Sequence, residues 1–343
     1  MTPILPPPTY VFFELCSLAI AAVVLWHAFR TDRPLFYAIL AFYPATYALE
    51  FINVRFEHGY YYTRFIWMLG SEPSWVPACV IAAWGSIFYG AVVTVRELPL
   101  HPLARPLVAG LLAVLLDLAC DPVAASSRIL SPVPELCTAA TQHGDAYGIG
   151  FWVWCVPHDH AQIRFWFGIP LGNFIAWWAA IAAYMASIDL VYLVRERTRR
   201  LGSSLAAKPG GVIALWISFW VSVWVTFTLL FLGSMFAWRA AAGVVGEWPA
   251  TCVVFAIPIL LILRAVPRVV RSAPIRWVPL LPVLFTMPWS FAEYWLTGEL
   301  RHSRAPLGAA IVACSIAAFY VYSLPYRIAV HPRGREPSSA SPE

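Results

Sequence analysis

Two aspartates, Asp117 and Asp121, stand four residues apart in the otherwise apolar stretch LLDLACDPV. On a helix this spacing places both side chains on one face, about one turn apart. Two carboxylates that close repel each other, which favours retention of a proton by one of them. A carboxyl group that stays protonated in an apolar site is the acid needed to protonate an alkene, a very weak base. In the structural alternative, Pro122 ends the helix and Asp121 lies in interfacial water.

Other polar side chains also interrupt apolar segments. Glu50 closes the stretch ILAFYPATYALEF and is followed by HGYYY, which contains Tyr60 and Tyr62. Glu50 has either a direct chemical role or an interfacial ion pair with Arg55, and the tyrosines either line a site or form an aromatic belt. Asn173, in FGIPLGN, opens an apolar helix, where it either contacts a substrate or caps the helix.

Aromatic residues crowd the segment from 151 to 178. Phe, Trp and Tyr make up 15% of the chain, with 17 tryptophans. An aromatic wall packs flat against a conjugated or isoprenoid chain, and its ring faces stabilise a cation. The alternative for many of these tryptophans is anchoring at the membrane surface.

The elements that position these residues are membrane helices. The chain has 343 residues, of which 60% are hydrophobic and 12% charged, with a mean hydropathy of +0.69. This excess of apolar residues excludes a soluble globular enzyme and requires contact with lipid. We expect an all-α, polytopic transmembrane helical bundle of about nine spans, since each crossing needs about 20 apolar residues. The predicted spans are residues 10–29, 34–53, 75–95, 103–120, 170–193, 211–236, 249–266, 276–297 and 305–323.

The spans are predicted to alternate across the membrane of the cell. Lysine and arginine are concentrated in the connections after odd-numbered spans, which predicts an external N-terminus and a cytoplasmic C-terminus. Alternation alone gathers several polar residues at one face, whichever way the bundle is oriented. These residues are Glu50, Asp117, Asp121, Asn173 and Glu293.

Charge and cysteine patterns exclude other classes of protein. The net charge is +5, but the arginines are scattered between apolar runs, whereas nucleic-acid binding needs a clustered basic face. The seven cysteines show no CxxC or Cys/His spacing, so no metal site is expected.

Four stretches in order carry a resemblance to a known family. They are Glu50 with HGYYY, then VPACVIAAW ending at Trp84, then DLACDPV, and finally FWVW with FGIPLGNFIAWW. The chain resembles the integral-membrane carotenoid biosynthesis proteins that include carotenoid 1,2-hydratases of the bisanhydrobacterioruberin hydratase type. The resemblance covers residues 40–185, within a family-like membrane domain at 1–193. Residues 125–150 look like an insertion, and a basic cytoplasmic loop at 194–210, additional helices at 211–323 and a disordered tail at 324–343 follow.

The resemblance implies hydration of a terminal isoprenoid double bond in an acyclic carotenoid or other polyisoprenoid. Asp117 or Asp121 would supply the proton, and Glu50 or Asn173 would position water. No cofactor is implied, and other carotenoid enzymes are the expected protein partners. The resemblance assigns substrate binding to Tyr60, Tyr62, Trp84, Trp152, Trp154, Pro170, Asn173 and Trp177.

Three alternatives remain open from the sequence. The same cation trapped by an internal alkene would make the protein a carotenoid end-group cyclase. A membrane prenyltransferase also uses D-x-x-x-D, to hold Mg²⁺ on a diphosphate, but the sequence has no evident second acidic motif. A non-catalytic carotenoid-binding or transport protein would redistribute the pigment unchanged.

Overall fold

The computed structural model of the protein is a helical bundle. The structure describes residues 8–57, 60–72, 74–126, 151–154, 164–197, 211–266, 277–296 and 305–326. Most of the predicted insertion at 125–150, of the predicted basic loop at 194–210 and of the predicted disordered tail at 324–343 lies outside these described residues.

Nine α-helices are present in the described part of the chain, one in each predicted span. They are α1 (Pro8–Thr31), α2 (Arg33–Ile52), α3 (Ala78–Glu97), α4 (Arg105–Ser126), α5 (Leu171–Arg197), α6 (Gly211–Val245), α7 (Glu247–Ala265), α8 (Trp277–Leu296) and α9 (Ala305–Ser323). Every helix except α8 is long and apolar enough to cross a membrane, which confirms the all-α architecture and is compatible with a multi-pass membrane protein. In α8 two prolines, Pro282 and Pro288, interrupt the apolar sequence.

Helices α3 and α4 form the centre of the bundle. Both are largely buried, with α1 and α2 packed on α3 and α5 packed on α4. The later helices α8 and α9 also contact α3 and α4, so the C-terminal helices complete the same bundle. Glycine permits the closest approach: a Cβ atom on Gly110 of α4 would lie 2.6 Å from the carbonyl oxygen of Trp178 in α5.

Short strands lie in the connections between helices. Among the described residues, six strands form three antiparallel pairs: β1 (Tyr60–Tyr62) with β4 (Trp152–Trp154), β2 (Met68–Leu69) with β3 (Val76–Pro77), and β5 (Phe165–Trp166) with β6 (Ile169–Pro170). None of these strands was predicted from the sequence. The β1–β4 pair places Tyr60 opposite Trp154 and Tyr62 opposite Trp152. Because alternate residues of a strand share one face, these four aromatic side chains belong to the same face of the ladder.

Main-chain hydrogen bonds fix this strand pair against the helices. The Phe151 N–H donates to the carbonyl of Ala124 in α4, and the Thr63 N–H donates to the Phe151 carbonyl. The carboxylate of Glu14 in α1 is fully buried and accepts the backbone N–H groups of Ile66 and Trp67, at 2.8 and 2.9 Å. Glu14 therefore anchors the connection that follows β1.

Candidate functional site

The acidic residues surround a cavity between α2, α3, α4, α5 and the β1–β4 pair. The cavity volume is about 70 Å³, several times the roughly 10–15 Å³ that one water needs on the same measure. The cavity is lined by Phe13, Glu50, Tyr60, Tyr62, Val80, Ala83, Ile87, Leu116, Asp117, Cys120, Asp121, Trp152, Trp154, Asn173, Trp177 and Thr286.

The Glu50 carboxyl group is held by three hydrogen-bond donors. One oxygen, Oε2, accepts the hydroxyl groups of Tyr60 and of Tyr62, the latter at 2.7 Å. The other, Oε1, accepts the indole N–H of Trp84 at 2.8 Å. Glu50 lies in the last turn of α2 and is 5% exposed. Charge-assisted hydrogen bonds of this kind offset part of the cost of placing a carboxylate in an apolar bundle.

The two tyrosines are fixed as donors by the same arrangement. Burial raises the pKa of Tyr60 and of Tyr62 well above its usual value, and the neighbouring Glu50 raises it further. Both phenols therefore keep their protons across the neutral range and continue to donate to Glu50.

A second acidic cluster lies on α4 and α5. The Nδ2 atom of Asn173 donates to Oδ2 of Asp117 at 3.1 Å and to Oδ2 of Asp121 at 2.6 Å. An amide nitrogen carries two protons, so one can point to each carboxyl group. The aspartates are 5% and 3% exposed. Helix α4 continues through Pro122 to Ser126, so the alternative that Pro122 ends the helix and leaves Asp121 in water is wrong.

Aromatic rings complete the walls. Across the strand pair, the ring centroids of Tyr60 and Trp154 are 4.8 Å apart and those of Tyr62 and Trp152 are 6.0 Å apart. Trp177 stacks on Trp84 with centroids 3.7 Å apart and an interplanar angle of 13°. All of these rings except that of Trp84 line the cavity that both acidic clusters face.

The carboxyl groups that line the cavity have no basic side chain beside them among the described lining residues. Asp117 interacts electrostatically with both Asp121 and Glu50. No lysine, arginine or histidine is among the described residues that line the cavity. Three ionised carboxylates in such a space would be costly, so charge balance requires protons or a bound cation. Across the described residues there is no group of three or more His, Cys, Asp or Glu placed to hold a metal ion.

Most of the residues singled out from the sequence lie at this cavity. Trp84 lies behind the cavity surface, where it contacts Glu50 and Trp177. Pro170 is buried in β6 and does not line the cavity, because it belongs to the short strand pair before α5. Glu293, in α8, is also buried outside the cavity lining. The predicted site residues that do line the cavity are Glu50, Tyr60, Tyr62, Asp117, Asp121, Trp152, Trp154, Asn173 and Trp177.

The sequence analysis missed other lining residues. Cys120 lies three residues after Asp117, a helical spacing that would have placed it on the same face. Phe13 and Thr286 reach the cavity from α1 and α8, and no sequence pattern distinguishes them from other apolar or small polar residues of these spans.

Comparison with known proteins adds no assignment. No family model, curated protein or solved structure matches the chain.

Proposed function

We propose that the protein is an integral-membrane hydro-lyase that hydrates the terminal double bond of an acyclic carotenoid or related polyisoprenoid. One observation carries the proposal: two hydrogen-bonded acidic clusters face a single aromatic cavity inside an apolar helical bundle, with no basic side chain among the described lining residues. Acid-catalysed addition to an alkene needs a proton donor, a surface that tolerates a cation, and a proton acceptor near water.

We assign the proton donor to Asp117. Both aspartates accept from the same Asn173 nitrogen, at 3.1 Å for Asp117 and 2.6 Å for Asp121. We place the charge on Asp121, which lies nearer to the Asn173 amide, and the proton on Asp117. Asn173 then acts as a positioning residue that keeps the two carboxyl groups in different protonation states.

The cation formed next is stabilised by the walls. Asp117 transfers its proton to the less substituted alkene carbon, so the positive charge develops on the tertiary carbon. The ring faces of Tyr60, Trp152 and Trp154 attract this charge, and the Asp121 carboxylate adds an opposite charge. These groups lie around the same cavity.

Water capture completes the reaction. The water oxygen forms a bond to the tertiary carbon, and one water proton passes to Glu50, leaving a tertiary alcohol. A carboxylate has about four lone-pair positions, and three donors already occupy Glu50, so one position on Oε1 is left for this proton. Return of the proton from Glu50 to Asp117 through water restores the site. The net change is addition of one water, with no change of oxidation state and no need for a redox cofactor.

The size of the cavity fits the end of a chain. A volume of about 70 Å³ admits a terminal group and not a complete carotenoid, and a carotenoid is long enough to extend across ~30 Å of hydrocarbon. We place the remainder of the substrate in the cell membrane beside the bundle. In this arrangement the C-terminus is cytoplasmic, and other carotenoid enzymes supply the acyclic precursor.

The test is expression of the full chain in a host that makes an acyclic carotenoid, followed by mass spectrometry of the pigment. We expect a mass gain of one water per modified end. A new pigment of unchanged mass would instead indicate cyclisation, and an unchanged pigment that only changes location would indicate binding or transport. Either of these results would contradict hydration.

A further inference from the structure

Two indole N–H groups at the cavity lack an acceptor. The Nε1 atoms of Trp152 and Trp154 are buried and form no hydrogen bond. Trp154 is 9% exposed, and both residues line the cavity. They are alternate residues of β4, so both side chains project from the same face of the strand.

Such donors are unusual in a folded protein. A buried donor without a partner loses its hydrogen bonds to water and gains none in return, so buried donors are generally paired. Other indoles of the described chain are paired: for example, the N–H of Trp84 donates to Glu50, that of Trp166 to the carbonyl of Leu118, and that of Trp178 to the carbonyl of Leu107. Two unpaired donors on one strand face, both at the same cavity, point to an acceptor that a ligand brings.

We infer that Trp152 and Trp154 form an oxygen-binding subsite, which takes a hydroxyl or carbonyl oxygen at the end of an isoprenoid ligand. The isoprenoid nature of the ligand rests on the proposed function, whereas the oxygen acceptor follows from the two donors. The acceptor is neutral, because Glu50, Asp117 and Asp121 line the same cavity and repel an anion such as a phosphate.

The subsite lies beside the acidic clusters. The Trp154 ring contacts Tyr60, one of the donors to Glu50. The Trp152 indole is close to the Asp121 carboxyl group, but its Nε1 forms no hydrogen bond. An oxygen bound by the two indoles is therefore adjacent to the groups that would exchange protons with it, as the hydroxyl of a hydrated end group must be.

The experiment compares matched ligands with the purified full chain in lipid nanodiscs. The probes are a monoterpenoid tertiary alcohol, a monoterpenoid ketone and the saturated hydrocarbon of the same skeleton. Binding is measured by calorimetry, with each affinity expressed against the probe concentration in the membrane. Two net hydrogen bonds give the oxygenated probes a roughly 5- to 100-fold advantage over the hydrocarbon.

Trp154→Phe and Trp152→Phe remove one N–H each and keep an aromatic ring. We expect each variant to reduce the advantage by roughly 2- to 10-fold, with hydrocarbon affinity serving as the measure of altered packing. Trp220→Phe is the matched control, because the Trp220 indole N–H is also buried and unpaired but does not line the cavity. This variant should keep the full advantage.

The outcomes separate the subsite from the reaction. A preference shown by both the alcohol and the ketone supports the subsite, because the oxygen of either probe can accept an indole N–H. A preference confined to the alcohol would show that its hydroxyl donates to a carboxyl group, and it overturns the subsite. Equal affinity for all three probes, or a preference that survives both phenylalanine substitutions, overturns it. An oxygen preference together with absence of hydration in the pigment assay would leave the subsite standing and reject the proposed reaction.

Discussion

Replacing Asp117 by Asn should separate catalysis from stability. The substitution removes the proton that the proposed mechanism transfers and preserves the shape of the side chain. The new amide oxygen can still accept from Asn173, whose Nδ2 lies 3.1 Å from Oδ2 of Asp117. Asparagine is neutral, as the protonated Asp117 of the proposed mechanism is, so the substitution leaves the charge of the cavity unchanged. The fold therefore loses little, and the reaction loses its acid.

The two effects differ in size. General acid catalysis by a positioned side chain contributes about 100- to 10,000-fold, equivalent to about 3–5 kcal/mol of transition-state stabilisation. A protonated Asp117 and an asparagine are both neutral and both accept the hydrogen bond of Asn173, so the free energy of unfolding stays within about 1 kcal/mol of the unsubstituted protein. We therefore expect at least a 100-fold slower hydration with the midpoint of thermal unfolding unchanged.

The assay is the rate of hydrated pigment formation in membranes, normalised to protein amount, beside thermal unfolding of the purified protein. Asp121→Asn should also slow the reaction strongly, because it removes the charge opposite the cation, and the double variant should be little worse than Asp117→Asn, since the pair acts as a unit. Asp189→Asn is the matched control: it makes the same change about 24 Å along α5 from Asn173 and should keep full activity. Full activity of Asp117→Asn with loss in Asp121→Asn would refute the assignment of the acid, and full activity of both would refute the acid role.

Three further substitutions and one control substitution test the residues that support the site. Glu50→Gln leaves fewer acceptors for three buried donors and should reduce stability by about 1–3 kcal/mol, seen as a lower unfolding midpoint, as well as abolishing hydration; an unchanged midpoint would contradict the hydrogen-bond pattern. Glu14→Gln replaces one carboxylate acceptor of the two backbone N–H groups after β1 and should speed hydrogen exchange of those amides, whereas equal exchange rates would exclude the anchoring role. Gly110→Ala should destabilise the bundle by about 1–3 kcal/mol, because the added Cβ would lie 2.6 Å from the Trp178 carbonyl. Gly233→Ala, where no atom lies within 4 Å, should be neutral or stabilising by about 0.5–1 kcal/mol; similar effects of the two alanines on chemical denaturation would disprove close packing at Gly110.

The positions of the helices and the proximity of Glu50, Asp117 and Asp121 could be predicted from the sequence. Apolar runs of membrane-spanning length leave little choice of structure, because backbone groups in an apolar surrounding must bond within the segment. Alternation of these helices brings the end of α2 near the end of α4 and the start of α5, and the structure brings Glu50 together with Asp117 and Asn173. Boundaries were less predictable: the predicted span 211–236 is part of a helix that continues to Val245.

The partners of the acidic groups could not be predicted in the same way. Tyr60 and Trp154 are paired across a ladder that joins distant parts of the chain, and a strand of three residues is too short for a recognisable alternating pattern. The donor role of Trp84 toward Glu50 depends on the rotation of α3 against α2, which packing decides. Pro170 was predicted at the site because it is close in sequence to Asn173. The structure places it in the β5–β6 strand pair, away from the cavity lining.

The small volume of the cavity has a kinetic consequence for a substrate with two reactive ends. Only one terminus can occupy a space of about 70 Å³ at a time, and the polyene between the termini is too long to fold back into it. The second terminus can enter only after the first has left and the molecule has turned around or met another copy of the protein. Under the proposed function, catalysis on such a substrate would therefore be distributive, and the half-modified pigment would accumulate in the bilayer before the fully modified one.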